Sequence, residues 1–455
     1  MLAREPRGCI ARGVAVSPWM EGAGSTAPAM TGGATTDVCV VGGGLTGLST
    51  ALKLRQLGWS VILLDRMYAG FGASGRNAGH LTPTIGKDLP TLARLFGAER
   101  ARNLVALVQT AIGHVEETIR NLGIECDYEP VGNVMAAVHP KQHRTVDAAA
   151  KAGEALGLDG ELLDGPAMRR RGLPETFTRG YFMRRGGILD PGRYVRGLAV
   201  AARAAGVEMY EQTPVVQIED ADPVFIHTPR GRVRARAAVI ATNAYTPELH
   251  RLRSTVLPVH VSLFRTAPLG DAARRAIAWP GREGIYTAHE ILESYRLTRD
   301  ERIVGGAKRI RYAYGGRPLG EDDATHAFIA AAFRARFPAL HATEIAERWS
   351  GPIAFALDFL PAVGCTGRHR NVYYSVGYAG HGLALASYAG TMLTDLMEQR
   401  DGPGSALWGH RKLPLPPEPL RWLTVRAING LLERKDRRVD RAVQAGAGTT
   451  ERATR

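Results

Sequence analysis

The pattern of apolar and polar positions is clearest near residue 37, where a short apolar run passes through three glycines into a helical stripe. The stretch reads DVCVVGGGLTGLSTAL, and after the glycines Leu45, Leu48 and Leu52 recur at helical spacing. A second apolar run, Val61–Leu64, predicts another strand, which ends at Asp65. These elements predict a βαβ unit that binds a dinucleotide, because a strand, a glycine turn, a helix and a second strand ending at an acidic residue follow one another in order.

Along the rest of the chain, two kinds of sheet pattern alternate. Buried strands that alternate with helices predict one parallel sheet, and runs of strict apolar–polar alternation predict an antiparallel sheet. We therefore predict an α/β fold (α+β overall), with a Rossmann-like dinucleotide-binding domain interleaved with an antiparallel-sheet substrate domain. The first domain is predicted over residues 36–90, 185–250 and 350–400, and the second over residues 91–184 and 251–349.

The two ends of the chain lack the pattern of a folded core. Residues 1–35 show no apolar periodicity and are predicted to be a disordered extension, with Met30 as an alternative translation start. Residues 413–455 predict a basic amphipathic helix, which either packs its apolar stripe on the body of the protein or lies on an anionic membrane surface. A proline-rich connector before it favours packing. The stripe consists of Leu420, Leu423, Ala427, Ile428 and Leu431.

Composition narrows the class of protein. The chain has 455 residues, of which 45% are hydrophobic and 22% charged, as in ordinary globular proteins. Its four cysteines are scattered without metal-ligand spacing, which indicates a reducing cytoplasm and no metal site. The net charge of +14 comes mostly from single arginines, which favours a charged surface over a nucleic-acid partner.

Each glycine of the first turn has a predicted role. Gly42 permits the tight turn, Gly44 lets the backbone approach a pyrophosphate, and Gly47 lets the helix pack closely on the strand. Asp65 is placed to accept hydrogen bonds from ribose hydroxyls, and its charge disfavours a 2′-phosphate. These residues alone are compatible with either FAD or NAD.

Five motifs in order carry a family resemblance. They are VVGGGLTGL, GASGRNAGH, IATNAYTPEL, RWSGPIAFALDFLPAVG and GYAGHGLAL. Over residues 36–400, the chain resembles the D-amino-acid-oxidase-like FAD-dependent oxidoreductases, especially their γ-glutamylputrescine-oxidase-like bacterial branch. The resemblance implies FAD and the oxidation of a C–N bond in a small amine, by hydride transfer to flavin N5 followed by hydrolysis of the imine.

The resemblance and the glycine chemistry together nominate the cofactor contacts. Some relatives link flavin covalently through a histidine where this chain has Arg76, so non-covalent FAD is expected, with His80 as the nearby alternative attachment point. The predicted contacts are Gly42, Gly44, Leu45, Thr46, Gly47, Asp65, Arg66, Ser74, Gly75, Arg76, Asn77, Gly79, Val215, Thr242, Gly351, Gly380, His381, Gly382 and Leu383.

The catalytic residues and the substrate class are also inferred from the family resemblance. His381, Lys308 and Tyr295 are the catalytic candidates, and Tyr286 is a second tyrosine that could wall the pocket. Ala384 stands where sarcosine-oxidase-like relatives carry a lysine that binds the substrate carboxylate. This favours an amine such as an acylated polyamine, although another arginine could serve an amino-acid-like substrate. The electron acceptor is oxygen or another molecule.

Two further function classes stay open. One is a flavoenzyme that acts on a modified transfer-RNA side chain, which the basic charge would suit. The other is a flavin-bearing assembly factor without turnover.

Overall fold

The computed structural model describes residues 17–408 and 412–453, with their side chains as far as residue 444. The α-helices are α1 (Leu45–Gln56), α2 (Leu89–Phe96), α3 (Ala98–Leu122), α4 (His143–Ala155), α5 (Gly165–Arg170), α6 (Pro191–Ala204), α7 (Asp271–Ile277), α8 (Asp323–Arg336), α9 (Gly382–Met397) and α10 (Leu420–Ala453). None of these described helices has the length and apolarity that a membrane crossing requires.

The first sheet is built around a parallel core. Its strands are β1 (Gly32–Val41), β2 (Val61–Leu64), β8 (Glu208–Tyr210), β9 (Gln217–Glu219), β10 (Val224–Thr228), β11 (Gly231–Ile240), β17 (Ala362–Thr366) and β18 (Val372–Val376). The order is β17-β18-β11-β1-β2-β8, and β18, β11, β1, β2 and β8 run parallel. The turns that follow β1, β2, β11 and β18 therefore meet at one edge of the sheet.

The second sheet is almost wholly antiparallel. Its strands are β4 (Asn133–Ala137), β5 (Gly160–Leu163), β6 (Arg179–Met183), β12 (Leu257–Thr266), β13 (Gly284–Thr287), β14 (Glu293–Leu297), β15 (Ile303–Ala307) and β16 (Ile345–Phe355). The order is β16-β12-β15-β14-β13-β4-β6-β5, with one parallel pair, β4 and β13. A short ribbon pairs β3 (His80–Leu81) with β7 (Gly187–Ile188). The predicted fold class is confirmed.

Helix α3 lies elsewhere than predicted. The sequence analysis places residues 91–184 together in the substrate domain. In the structure, α3 buries Leu104, Val108 and Ile112 in the core shared with α1 and α9, which cover the first sheet. An amphipathic stripe shows that a helix packs on something, but it does not show on which sheet.

The segment before the first strand is ordered. Trp19 and Met20 are 5% and 2% exposed, and the Trp19 indole donates from Nε1 to the Asn77 carbonyl oxygen at 3.0 Å. The Met30 N–H donates to Thr213 Oγ1 at 3.0 Å. The predicted disorder is therefore wrong for residues 17–35, while residues 1–16 lie outside the described part. Single large side chains anchor an irregular segment here, so periodicity does not reveal it.

Helix α10 packs on the body through an unexpected face. The favoured interpretation, with the stripe of Leu420 to Leu431 packed inward, is wrong because these leucines are exposed. The opposite face packs on the body through the partly buried Val439 and Val443 and through polar contacts. Asp436 accepts the backbone N–H groups of Glu290 and Ile291 at 2.9 and 3.0 Å, and Asn429 Nδ2 donates to the Ile310 carbonyl oxygen at 3.1 Å.

A buried ion cluster joins α10 to the second sheet. Glu293 accepts hydrogen bonds from Arg336 at 2.9 and 3.0 Å, and its carboxylate lies 2.5 Å from Lys308 Nζ. Asp440, on α10, pairs with Lys308 at 3.0 Å and with Arg336. Burial alone would raise the pKa of Glu293, but the adjacent Arg336 and Lys308 hold it at about 2. The cluster therefore depends on an ionised Glu293.

We predict that Glu293→Gln lowers the free energy of unfolding by about 3–5 kcal/mol, because it leaves buried cations short of a partner. Denaturant titration of the flavin-bound protein measures the change. Asp159→Asn is the control, since the Asp159–Arg184 pair has side chains that are 68% and 50% exposed. Its loss should stay below about 1 kcal/mol. Equally small losses for both variants would contradict the role of the cluster.

Candidate functional site

A cavity of about 520 Å³ lies between the two sheets. One side is formed by the turns at the carboxyl edge of the first sheet, which is where parallel α/β sheets bind ligands. The other side is formed by residues of the second sheet. The second-sheet lining comprises Val261, Leu263, Tyr286, Ser294, Ala307, Trp349, Gly351, Pro352, Ile353, Ala354 and Phe355.

The first glycine turn brings backbone atoms into close contact. Gly42 has φ +109°, and a Cβ built on it would lie 2.8 Å from the Ala241 carbonyl oxygen. A Cβ on Gly47 would overlap the Gly42 carbonyl oxygen, so only glycine lets α1 pack this closely on β1. A Cβ on Gly44 would lie 2.8 Å from Ser74 Oγ at the cavity wall. The turn leaves the N-terminus of α1 accessible to a phosphate.

Asp65 follows β2 at the same edge of the sheet. Its two carboxylate oxygens accept the N–H groups of Gly43 and Met67, each at 2.7 Å. Burial raises the pKa of Asp65 to about 6. The next residue, Arg66, pairs with Glu248 at 2.7 Å, and its guanidinium carbon lies 4.0 Å from the centre of the Tyr245 ring.

The loop after β2 carries the second motif. Ser74 Oγ accepts the Leu45 N–H at 2.9 Å, which fixes the loop against the start of α1. Arg76 is buried and donates to the carbonyl oxygens of Phe71 and Ser350 at 2.8 and 3.0 Å. A Cβ on Gly351 would lie 2.8 Å from Arg76 Cδ, so β16 packs directly on this side chain. Its guanidinium is held by protein carbonyls, which fits non-covalent FAD.

The third glycine turn faces the same cavity. Gly380, with φ +82°, and His381 lead into α9, which begins at Gly382. His381 Nδ1 lies 3.1 Å from the Ala379 carbonyl oxygen, and burial lowers the pKa of His381, so the ring is neutral. The partial positive charge of the helix N-terminus is therefore the main electrostatic feature at this wall.

Most of the predicted cofactor contacts line the cavity, and three glycines do not. Leu45, Thr46, Asn77, Val215 and Thr242 are all in its wall. Gly47 packs on Gly42, Gly75 lies against Met20 and the Gly70 carbonyl, and Gly79 lies against Leu189 and Arg296. These three glycines permit the close packing of the segments that form the cavity, but they do not reach the cavity surface.

Two catalytic candidates point away from the cavity. Tyr295 is buried beside Phe333 and Phe337, and its hydroxyl donates to Glu293 at 3.0 Å. Lys308 lies in the ion cluster described above. Strand alternation explains Tyr295, because its neighbour Ser294 on β14 lines the cavity. Lys308 follows the end of β15, where Ala307 and Lys308 both have positive φ and Ala307 is the one that lines the cavity. The predicted catalytic roles of Tyr295 and Lys308 are therefore wrong, whereas His381 and Tyr286 do line the cavity.

Several aromatic wall residues escaped the sequence prediction. Phe71, Tyr245 and Tyr378 line the cavity, and Tyr378 OH lies 2.8 Å from both Thr46 Oγ1 and Ser375 Oγ. Tyr245 and Tyr378 lie inside the quoted motifs, and Phe71 directly precedes one. Their position in or beside these motifs could therefore have identified them as cavity residues. Leu432 of α10 also lines the cavity, and no local pattern predicts that contact.

Comparison with protein-family models matches the family "FAD dependent oxidoreductase" over residues 37–396. The chain belongs to this family. It is 33% identical over 369 residues to the γ-glutamylputrescine oxidoreductase of Escherichia coli (strain K12), across 80% of this chain and 84% of that one. Its fold is similar to that of glycine oxidase from Geobacillus kaustophilus, with a TM-score of 0.69 and 19% identity over 81% of this chain and 96% of that chain. L-proline dehydrogenase from P. horikoshii gives a TM-score of 0.70 and 18% identity, over 82% and 98% of the two chains.

The cavity fits the cofactor of this FAD-dependent family. A side chain at Gly42 would clash with the Ala241 backbone and one at Gly44 would crowd Ser74 at the cavity wall, while Asp65 and the start of α9 also line the cavity. The predicted family and the predicted FAD cofactor are confirmed, and the protein is an FAD-dependent enzyme.

We predict that the affinity of the apoprotein for FAD rises as pH increases through about 6, because ionised Asp65 accepts the ribose hydroxyls more strongly than the protonated acid. Asp65→Asn should flatten this profile and weaken binding about tenfold at pH 8. Quenching of FAD fluorescence between pH 5 and 8 measures the dissociation constant.

Asp164→Asn, which alters a helix-capping carboxylate outside the cavity wall, is the control and should keep the wild-type profile. A persistent pH slope in Asp65→Asn would contradict the assignment.

Proposed function

We propose that this enzyme oxidises the C–N bond of a small aliphatic amine that carries no carboxylate next to the nitrogen. A mono-acylated diamine represents this class. The observation that carries the proposal is the wall of the cavity opposite the glycine turns, which is apolar over most of its extent. It includes Val261, Leu263, Ile291, Leu292, Ile310, Ile353, Phe355 and Leu432.

The cations of the cavity wall support this choice of substrate. Among the described residues, the lysine and arginines that line the cavity are Lys87, Arg66 and Arg76. Protein oxygens engage Arg66 and Arg76, and Lys87 lies 3.7 Å from the Asp88 carboxylate. Ala384, at the position where some relatives carry a carboxylate-binding lysine, is buried within α9 and provides no charge. A carboxylate held beside the reacting carbon would lose its hydration without gaining a dedicated partner, which is costly.

The similarity to a γ-glutamylputrescine oxidoreductase agrees with an acylated diamine. The name of that relative specifies an amine whose other end is an amide, which suits a cavity whose walls are largely apolar. The shared family alone would equally allow an amino acid, and the largely apolar wall supports the amine without that carboxylate.

FAD, when bound, would supply the capacity for two-electron oxidation as a hydride acceptor. The chain's own residues hold the amine against it and exclude water with the apolar wall. The backbone amides at the start of α9 stabilise negative charge that develops nearby. Burial lowers the pKa of His381, and in the neutral ring the Nδ1–H donates to the Ala379 carbonyl oxygen, which leaves Nε2 as a hydrogen-bond acceptor.

Anaerobic mixing of the FAD-bound enzyme with two matched amines tests the proposal. One is N-acetylputrescine, and the other is Nδ-acetylornithine in both stereochemical forms, which adds only a carboxylate on the carbon that bears the amine. We predict that N-acetylputrescine bleaches the flavin absorbance at least about tenfold faster, from the cost of burying an unpaired carboxylate. Admitting oxygen afterwards distinguishes an oxidase, which reoxidises at once, from a dehydrogenase.

Faster bleaching by either form of Nδ-acetylornithine would overturn the substrate class. Absence of bleaching by these compounds and by sarcosine, proline and glycine would favour a flavoprotein without turnover on amines.

A further inference from the structure

The outer face of α10 exposes large apolar side chains that a soluble helix normally buries. Leu420, Leu423, Ile428 and Leu431 are 57%, 52%, 47% and 58% exposed. Positions 420, 427 and 431 lie on one side of the helix by their spacing, and 423 and 428 flank them. These residues form a continuous apolar face over the first three turns of α10.

The same face becomes basic toward the carboxyl end of the helix. Arg434, Arg438 and Arg441 continue the spacing of positions 420, 427 and 431, and all three are exposed. Lys435 and Arg437 flank them and are exposed as well, although they lie 2.8 Å from Glu290 and 3.8 Å from Glu433. The outer face therefore joins an apolar half to a cationic half.

The acidic residues of α10 face the protein. Glu433 lies 3.9 Å from Arg309, Asp436 accepts two backbone N–H groups, and Asp440 joins the ion cluster. Over residues 420–444, every Asp and Glu is used in this way, so the outer face carries positive charge alone. The arrangement keeps the helix fixed while leaving its leucines and arginines available.

We propose that the outer face of α10 binds the surface of an anionic membrane. A helix that lies in the interface inserts apolar side chains below the headgroups and pairs its basic residues with anionic lipids. The charge of this face disfavours dimerisation through it. Pairing two such faces would bring like charges together in a protein of net charge +14. Anionic headgroups complement the face throughout its basic half.

The inner side of the same helix reaches the cavity. Leu432 is part of the cavity wall, and Asp436 holds the backbone of Glu290 and Ile291, which also line it. Docking through α10 would therefore bring the rim of the cavity close to the membrane surface. This inference does not depend on the identity of the amine.

Co-sedimentation of the FAD-bound, full-length enzyme with lipid vesicles tests the proposal. We expect binding to phosphatidylcholine vesicles that contain about 30% phosphatidylglycerol, little binding to pure phosphatidylcholine, and release at high salt. Leu423→Ser with Leu431→Ser should weaken binding at least about tenfold. Leu95→Ser is the matched control, because Leu95 on α2 is 57% exposed and lies outside this face; it should bind as the wild type does.

The charge contribution is tested separately. Arg434→Gln with Arg438→Gln should weaken binding about 25-fold, from about fivefold for each arginine near an anionic surface. Arg102→Gln with Arg120→Gln removes two exposed charges from α3 and should have little effect. Unchanged flavin content and thermal stability show that each variant is folded.

Two results would overturn the proposal. One is the absence of salt-sensitive binding to anionic vesicles by the wild type. The other is a dimer in sedimentation velocity that Leu423→Ser with Leu431→Ser dissociates while vesicle binding stays absent, which would assign the face to a second copy of the chain.

Discussion

The close approach of backbone to backbone at the carboxyl edge of the first sheet is the constraint on which the site depends. Gly47 of α1 packs on the Gly42 carbonyl, and Gly42 packs on the end of β11 at Ala241. No side chain fits between these segments. Two strand ends and one helix start are thereby drawn together, and the cavity opens directly beside them. A cofactor with an extended pyrophosphate needs such exposed backbone amides, which larger residues would cover.

The second sheet completes the site by packing on the loop after β2, which carries Arg76. β16 lies on the buried Arg76 through Gly351, and the Trp349 indole donates to the Arg76 carbonyl oxygen at 2.8 Å. Trp19, from the segment before β1, meets Trp349 edge to face at 6.1 Å between ring centres. The loop is thus held between the N-terminal segment and the second sheet. This packing fixes the polar groups of the loop before any cofactor binds.

The sequence correctly predicted the elements that follow from local residue spacing. Its predictions failed where packing against residues distant in the chain determines which side chains face the cavity or the core. The β1–α1–β2 unit follows from local periodicity and glycine chemistry, so Gly42, Gly44 and Asp65 were identified correctly as cavity residues. The side of a strand that faces a cavity depends on register, which explains why Tyr295 was chosen although Ser294 is the residue in the wall. Lys308 was chosen because periodicity does not reveal the positive φ of Ala307 and Lys308 at the end of β15. For α10, the apolar stripe suggested the buried face, but polar anchors such as Asp436 decide the packing. Hydrophobic periodicity carries no information about such anchors.

The central claim is that one cavity between the two sheets holds FAD without a covalent bond. A crystal structure of the enzyme purified with its own flavin tests it most directly. We predict the ribose of the adenosine part at Asp65, the pyrophosphate over Gly44 and the start of α1, and the flavin ring between Gly351 and the α9 N-terminus. We also predict no bond to Arg76 or His80. Flavin density outside this cavity, or density continuous with either side chain, would contradict this claim.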